Sequence, residues 1–224
     1  MKKLNIMKKL LFTLALLVCF NSFGQDDVKQ GQVVEYYENG NIKSTSYYVD
    51  GKKQGEEIWY YKSGVVKSKV NYVNDKLQGE VIGYHETGAV HYRYKVTDDK
   101  PIGEVIEYYE NGQIEKKVNF VNGKKSGEEI GYYENGQIKK KVNFVNGKLQ
   151  GEGIEYYESG AIFGRGNFVN DKPQGEGIEY YESGAIKWRW NYVDYKLQGL
   201  SIEYYESGEV KSVRNYKDGV LIKE

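Results

Sequence analysis

Apolar and polar residues in this chain follow no helical stripe. Short aromatic and β-branched runs, such as Ile130-Gly131-Tyr132-Tyr133 and Val142-Asn143-Phe144-Val145, alternate with breaks such as Asn135-Gly136 and Asn146-Gly147. The runs favour extended backbone, and Asn-Gly is the strongest short hairpin signal. The pattern predicts strand, turn, strand, turn, and then it repeats. Gly127–Gln150 reads GEEIGYYENGQIKKKVNFVNGKLQ, preceded by GEVIEYYENGQIEKKVNFVNGKKS at Gly103–Ser126 and followed by GEGIEYYESGAIFGRGNFVNDKPQ at Gly151–Gln174. A glycine opens every block, at 31, 55, 79, 103, 127, 151, 175 and 199, a spacing of 24 residues without insertion. A fixed period of this size marks a repeat array.

Counting each block from its glycine, position 6 is tyrosine and position 10 glycine in all eight, while positions 4 and 12 are always Ile or Val. Position 7 is tyrosine except at His85. The expected fold is all-β: an elongated, single-layer antiparallel meander of eight hairpin repeats and about sixteen strands over 31–224. Because side chains alternate faces, the even repeat length asks for two turns of equal parity. Three-residue loops would pair the tyrosine at position 6 with the aliphatic at 12 and gather 4, 6, 12 and 18 on one face, as Ile130, Tyr132, Ile138 and Phe144. Two-residue loops would scatter the apolar groups, so the three-residue register is expected. With strands about 4.8 Å apart, the array should run on the order of 75–80 Å.

The N-terminus reads differently. Lys2, Lys3, Lys8 and Lys9 precede the apolar run Leu10–Phe20, and Ser22 and Gly24 stand at −3 and −1 of a cut before Gln25. This is the pattern of a secretory signal peptide, with an apolar stretch too short for a bilayer span. The expected organisation is a leader at 1–24, a short linker at 25–30 and the array from 31, with no integral membrane segment after cleavage. The chain would then be exported, to the periplasm, the outer envelope or the medium. Cleavage removes four lysines from a balance of 32 basic and 32 acidic residues, leaving about −4. That excludes a nucleic-acid ligand held by bulk charge. Cys19, the only cysteine, leaves as well, so no disulfide or thiolate chemistry is expected.

The unit YYENGQIKKKVNFVNGKLQGE, with its recurring Tyr-Tyr-x-Asn/Ser-Gly, following strand, Asn-Gly-Lys and closing Gly-Glu, resembles the bacterial variant of the MORN repeat over residues 31–222. The resemblance implies an elongated sheet of β-hairpins that acts as a scaffold for protein or lipid. Some bacterial members carry an antitoxin family label, which would imply a toxin protein as partner. An export signal is at odds with a cytoplasmic toxin.

No catalytic, metal or cofactor site is expected. The chain has no phosphate-cradling glycine loop, His-Glu-x-x-His or Gly-x-Ser-x-Gly. His85 and His91 share a block with Asp98-Asp99 but lack a converging third ligand. A protein partner is the expected ligand, with carbohydrate as the alternative because aromatics recur at regular spacing. Candidate binding residues are the position-7 tyrosines, Tyr133, Tyr157 and Tyr181, and a departure shared by blocks six and seven. There Gly164 and Gly166 are succeeded one repeat later by Trp188 and Trp190, with Arg165 and Arg189 beside them. This arrangement predicts a shallow notch with an aromatic wall and an arginine rim. Its competitor is a packing role in which the indoles cover bare glycine.

Overall fold

A computed structural model describes residues 28–223. The expected leader, its cut and residues 25–27 lie outside the described residues. Among the described residues there is no helix, and 21 antiparallel strand segments join in one open sheet. Each repeat contributes two arms, such as Lys124–Tyr132 and Ile138–Val145. The sixteen expected strands become 21 because the backbone breaks near the opening glycine of four repeats and a terminal strand, Val220–Lys223, follows the last turn. Lys148–Leu149, for example, is separated from Gly151–Tyr156.

The first turn is the three-residue loop expected. Tyr133 donates its N–H to the Gln137 carbonyl at 2.8 Å and Gly136 donates to the Tyr133 carbonyl at 2.9 Å. Gly136 sits at φ 84°, where a Cβ would be strained. Tyr132 lies opposite Ile138, and the same pairing recurs in every repeat from Tyr36–Ile42 to Tyr204–Val210.

The second turn departs from expectation. It holds two residues, with Val145 opposite Lys148 and with Asn146 and Gly147 both at positive φ, which is the type I′ geometry that suits the twist of a hairpin. Two β-bulges restore the parity. Gly131 pairs with Lys140 but Tyr132 with Ile138, leaving Lys139 as an extra residue. Further on, Val118 pairs with Glu129 and Phe120 with Lys125, so Gly127 (φ 81°) and its neighbours bow out. That bow is why a glycine must open each repeat.

The bulges redistribute the faces. Positions 3, 5, 14, 16 and 18 stand together on one face, as shown by the pairs Val105–Val118, Glu107–Lys116 and Gly103–Phe120. Positions 2, 4, 6, 12, 15 and 17 take the other. Phe144, expected beside Ile130, therefore lies with Glu129 and Val142 instead. The first face is the better packed: Val81, Val96, Val105 and Val118 are buried on it, whereas Tyr36 and Val210 on the second are largely exposed.

Repeats are fastened along both rows of turns. Three position-24 glutamines accept from the backbone N–H of position 20 one repeat later, Gln54 from Asn74 at 2.9 Å, Gln150 from Asn170 at 3.2 Å and Gln198 from Asp218 at 2.9 Å, whereas Gln78 donates to the Asp98 carboxylate at 2.8 Å. Where position 21 is aspartate, its carboxylate accepts from the backbone N–H of position 23 in the preceding repeat: Asp75 from Lys53, Asp99 from Leu77, Asp171 from Leu149. Pro101 and Pro173 have no such N–H to give, and the residues that follow them at position 21 are Gly123 and Tyr195. Tyr195, at φ 69°, is instead capped by the Lys172 ammonium 3.6 Å from its ring centre.

Candidate binding site

The position-7 tyrosines form a third fastening. Tyr133 donates its hydroxyl to the Tyr156 carbonyl at 2.6 Å, Tyr157 to Tyr180 at 2.7 Å and Tyr181 to Tyr204 at 2.8 Å. Tyr37, Tyr61 and Tyr109 repeat the contact. His85 keeps it with Nε2, 2.8 Å from the Tyr108 carbonyl, while its ring rests 4.2 Å from that of His91. Burial, then the Glu158 and Glu155 carboxylates, push the Tyr133 phenol above its ordinary value, so it remains a donor. The lysine at position 13 lies over the ring, as Lys139 over Tyr133 at 5.5 Å and Lys187 over Tyr181 at 5.9 Å. These tyrosines thus join repeats through their hydroxyls, while the rings of Tyr133 and Tyr157 also line a second cleft of about 350 Å³ with Lys139, Lys140, Glu155 and Phe163.

Among the described residues, the packed face lacks its layer of side chains in repeats six and seven. In repeat six Gly153 stands directly opposite Gly166, and Gly166 in turn neighbours Gly177 of repeat seven. Gly164 lies two residues along the same strand. Phe168 covers Gly153 and Trp190 covers Gly177, which leaves the backbone of Gly164 and Gly166 bare; over it opens a cleft of about 320 Å³, walled by Phe168, Trp190 and Tyr192 and flanked by Glu155, Glu179 and Phe163. Gly164, Gly166 and Trp190 are therefore brought together at the notch that the sequence suggested.

The remaining expected residues are placed differently. Trp190 covers Gly177 so closely that a Cβ there would meet the indole Nε1 at 2.5 Å, so it serves both as cover for the neighbouring glycine and as wall of the cleft. Trp188 packs edge-on to Trp190 at 5.3 Å and gives its indole N–H to Ser201 at 2.6 Å. It supports the wall without lining the cleft. Arg165 and Arg189, expected as a rim, project from the opposite face. There Arg165 Nε donates to the Tyr180 hydroxyl at 3.1 Å, and Arg189 Nε lies 3.1 Å from Glu176. Position 15 and position 16 cannot share a face.

Sequence reasoning missed Gly153, Gly177, Phe168 and Glu155 as members of the site. The signal was present, since Gly153 and Gly177 are glycines at a position filled by Val, Glu or Ser elsewhere. It needed the pairing of positions 3 and 16, which only the bulge at position 13 creates.

Buried polar groups elsewhere on the face are satisfied. Burial alone would raise the Glu129 carboxyl, but hydrogen bonds from Lys125 and Lys140 outweigh it and hold its pKa below the ordinary value. Among the described residues no three His, Cys, Asp or Glu side chains are grouped to hold a metal, and no helix is long and apolar enough to cross a membrane.

Comparison with known proteins follows the same repeats. A family model described as MORN repeat variant matches residues 29–50, 53–74, 101–122, 125–146 and 197–218. A second, described as MORN repeat, matches 143–162 and 165–186, the stretch that contains the glycine floor. No curated protein matches the chain in sequence. Among solved structures, a porin-like protein from Bacteroides uniformis is similar at 9% identity, covering 86% of this chain and 92% of that one, with a TM-score of 0.22. A chain of the TcdB2-TccC3-Cdc42 structure is similar at 13% identity, covering 84% of this chain and 12% of that one, also with a TM-score of 0.22. At such TM-scores neither likeness bears on fold or function.

Proposed function

Because this chain belongs to the MORN-repeat family, whose repeats are binding modules for proteins or membranes, we propose that it is an exported, non-catalytic binding protein that engages a protein partner. The cleft of repeats six and seven is where it does so. The single observation that carries this reading is the Gly164–Gly166 floor between Phe168 and Trp190. Elsewhere the packed face is covered by its own side chains, whereas here bare backbone and aromatic walls are open to a guest. Aromatic-lined, desolvated pockets are the usual anchors of protein interfaces.

Two experiments test the reading. Protein from the cells that make it should begin at Gln25, and an intact Met1 would contradict export. Capture from an envelope extract with residues 25–224 should recover one protein in stoichiometric amount. Gly166→Leu should reduce its recovery by about tenfold or more, the equivalent of 1.4 kcal/mol. At Gly166 an added Cβ has only the Gly177 Cα at 4.0 Å as neighbour, so a larger side chain fills the cleft without a clash at the Cβ. Recovery of glycan alone, or of the same protein equally by Gly166→Leu, would overturn it.

A further inference from the structure

We infer that the guest of this cleft is a basic side chain, an arginine or lysine of the partner protein, whose cation settles on Glu155; this rests on the reading of the cleft as the protein-binding site. Position 5 is glutamate in repeats one, four, six, seven and eight. Four of these are held by a lysine of their own hairpin: Glu35 by Lys43 at 3.4 Å, Glu107 by Lys116 at 2.7 Å, Glu179 by Lys187 at 2.6 Å and Glu203 by Lys211 at 2.7 Å. The lysine comes from position 13 or 14, both of which the bulge brings to the glutamate's face.

In repeat six those two positions are Phe163 and Gly164. Glu155 has lost the cation that its counterparts keep. The neighbouring strand does not replace it: Lys140 is in register with Glu155, but its ammonium lies 3.0 Å from Glu129. An exposed carboxylate thus stands at the mouth of a cleft whose floor is the backbone of Gly164 and Gly166.

The vacancy has the shape of what is missing. In repeat four the stem of Lys116 runs over the sheet beside Glu107; in repeat six the equivalent track, over Gly164, is bare. A guest arginine or lysine would lay its aliphatic stem on that track against the aromatic walls and bring its charge to Glu155. Amphipathic stems are suited to such a surface, and an aromatic wall with a carboxylate is a cation site twice over. The same sheet already uses this chemistry, with Lys125 over Phe144 at 4.7 Å and Lys53 over Tyr72 at 4.9 Å. A neutral apolar knob would fill the gap but desolvate Glu155 without compensation. A neutral sugar offers no counter-charge.

The test is a titration of the isotope-labelled protein with N-acetyl-arginine methylamide and with its citrulline counterpart, followed at the Trp190 indole N–H. The arginine compound should perturb that signal and bind at least about tenfold more tightly than citrulline, with a preference that weakens as salt rises. Glu155→Gln should erase the preference. So should Phe163→Lys, which returns the chain's own cation to position 13. Equal binding of the two compounds, a preference that survives Glu155→Gln, or no response to arginine would overturn the inference. The binding role can be judged separately. If the captured partner is lost with Gly166→Leu but binds Glu155→Gln as well as wild type, the cleft stands as the site and the basic guest does not.

Discussion

Repeat four and repeat six share one backbone plan and differ in what they place on it. In repeat four Val105 faces Val118, both buried, and Glu107 is paired with Lys116. In repeat six the corresponding partners are Gly153 with Gly166, and Glu155 with Gly164. The turns, the two bulges and the tyrosine fastenings are the same in both. The comparison separates two tasks along one chain. Recurring residues join repeats to each other, and a packed side-chain layer stabilises the sheet. Where that layer is deleted without touching the fastenings, a cleft appears at little cost to the architecture.

The largest test of this contrast is to impose one region on the other. Val105→Gly with Val118→Gly should destabilise the array by about 3–5 kcal/mol in urea unfolding, since two buried side chains are lost and backbone freedom is added. A loss below about 1 kcal/mol would mean that the packed face contributes little.

Acid should reveal the next difference. The Glu129 carboxyl is held below its ordinary value of 4.5, so its contribution to stability is present above that pH and is lost as pH falls through the lowered value. Glu129→Gln should flatten the acid limb of the stability profile. An unchanged limb would show that Lys125 and Lys140 do not stabilise the charged form.

The fastenings make a smaller prediction. Tyr133→Phe removes a 2.6 Å hydrogen bond and leaves the Tyr156 carbonyl short of a partner, a cost of about 1 kcal/mol. Tyr205, in the last repeat, is half exposed, with its ring beneath Lys211. Tyr205→Phe should cost about 0.5 kcal/mol or less. Equal losses would contradict the role assigned to the hydroxyl. An effect of opposite sign belongs to Gly166→Leu, which should raise stability by a few tenths of a kcal/mol, up to about 1 kcal/mol, because glycine in a strand interior is unfavourable.

Much of this was legible in the residues. The hairpins, the invariant glycine at the first turn and the Tyr132–Ile138 pairing follow from turn chemistry and alternation. The bulges were not legible, because Lys139 looks like any strand lysine and carries no mark of being the extra residue. Missing it put Phe144 on the wrong face; the arginine rim failed on alternation alone, since positions 15 and 16 cannot share a face. For the site, Gly164, Gly166 and Trp190 stood out because they break the repeat. Glu155 did not, since it is an ordinary glutamate whose distinction is the absence of its usual lysine. That absence has meaning only once positions 5 and 14 are known to pair.

The most direct measurement of the central claim is calorimetric affinity for the captured partner, set beside thermal stability, for wild type, Gly166→Leu and Tyr133→Phe. If gaps bind and fastenings hold, Gly166→Leu loses at least about tenfold in affinity with no fall in melting temperature, while Tyr133→Phe melts earlier and binds as wild type does. Full affinity in Gly166→Leu, with the loss falling on Tyr133→Phe instead, would contradict the account.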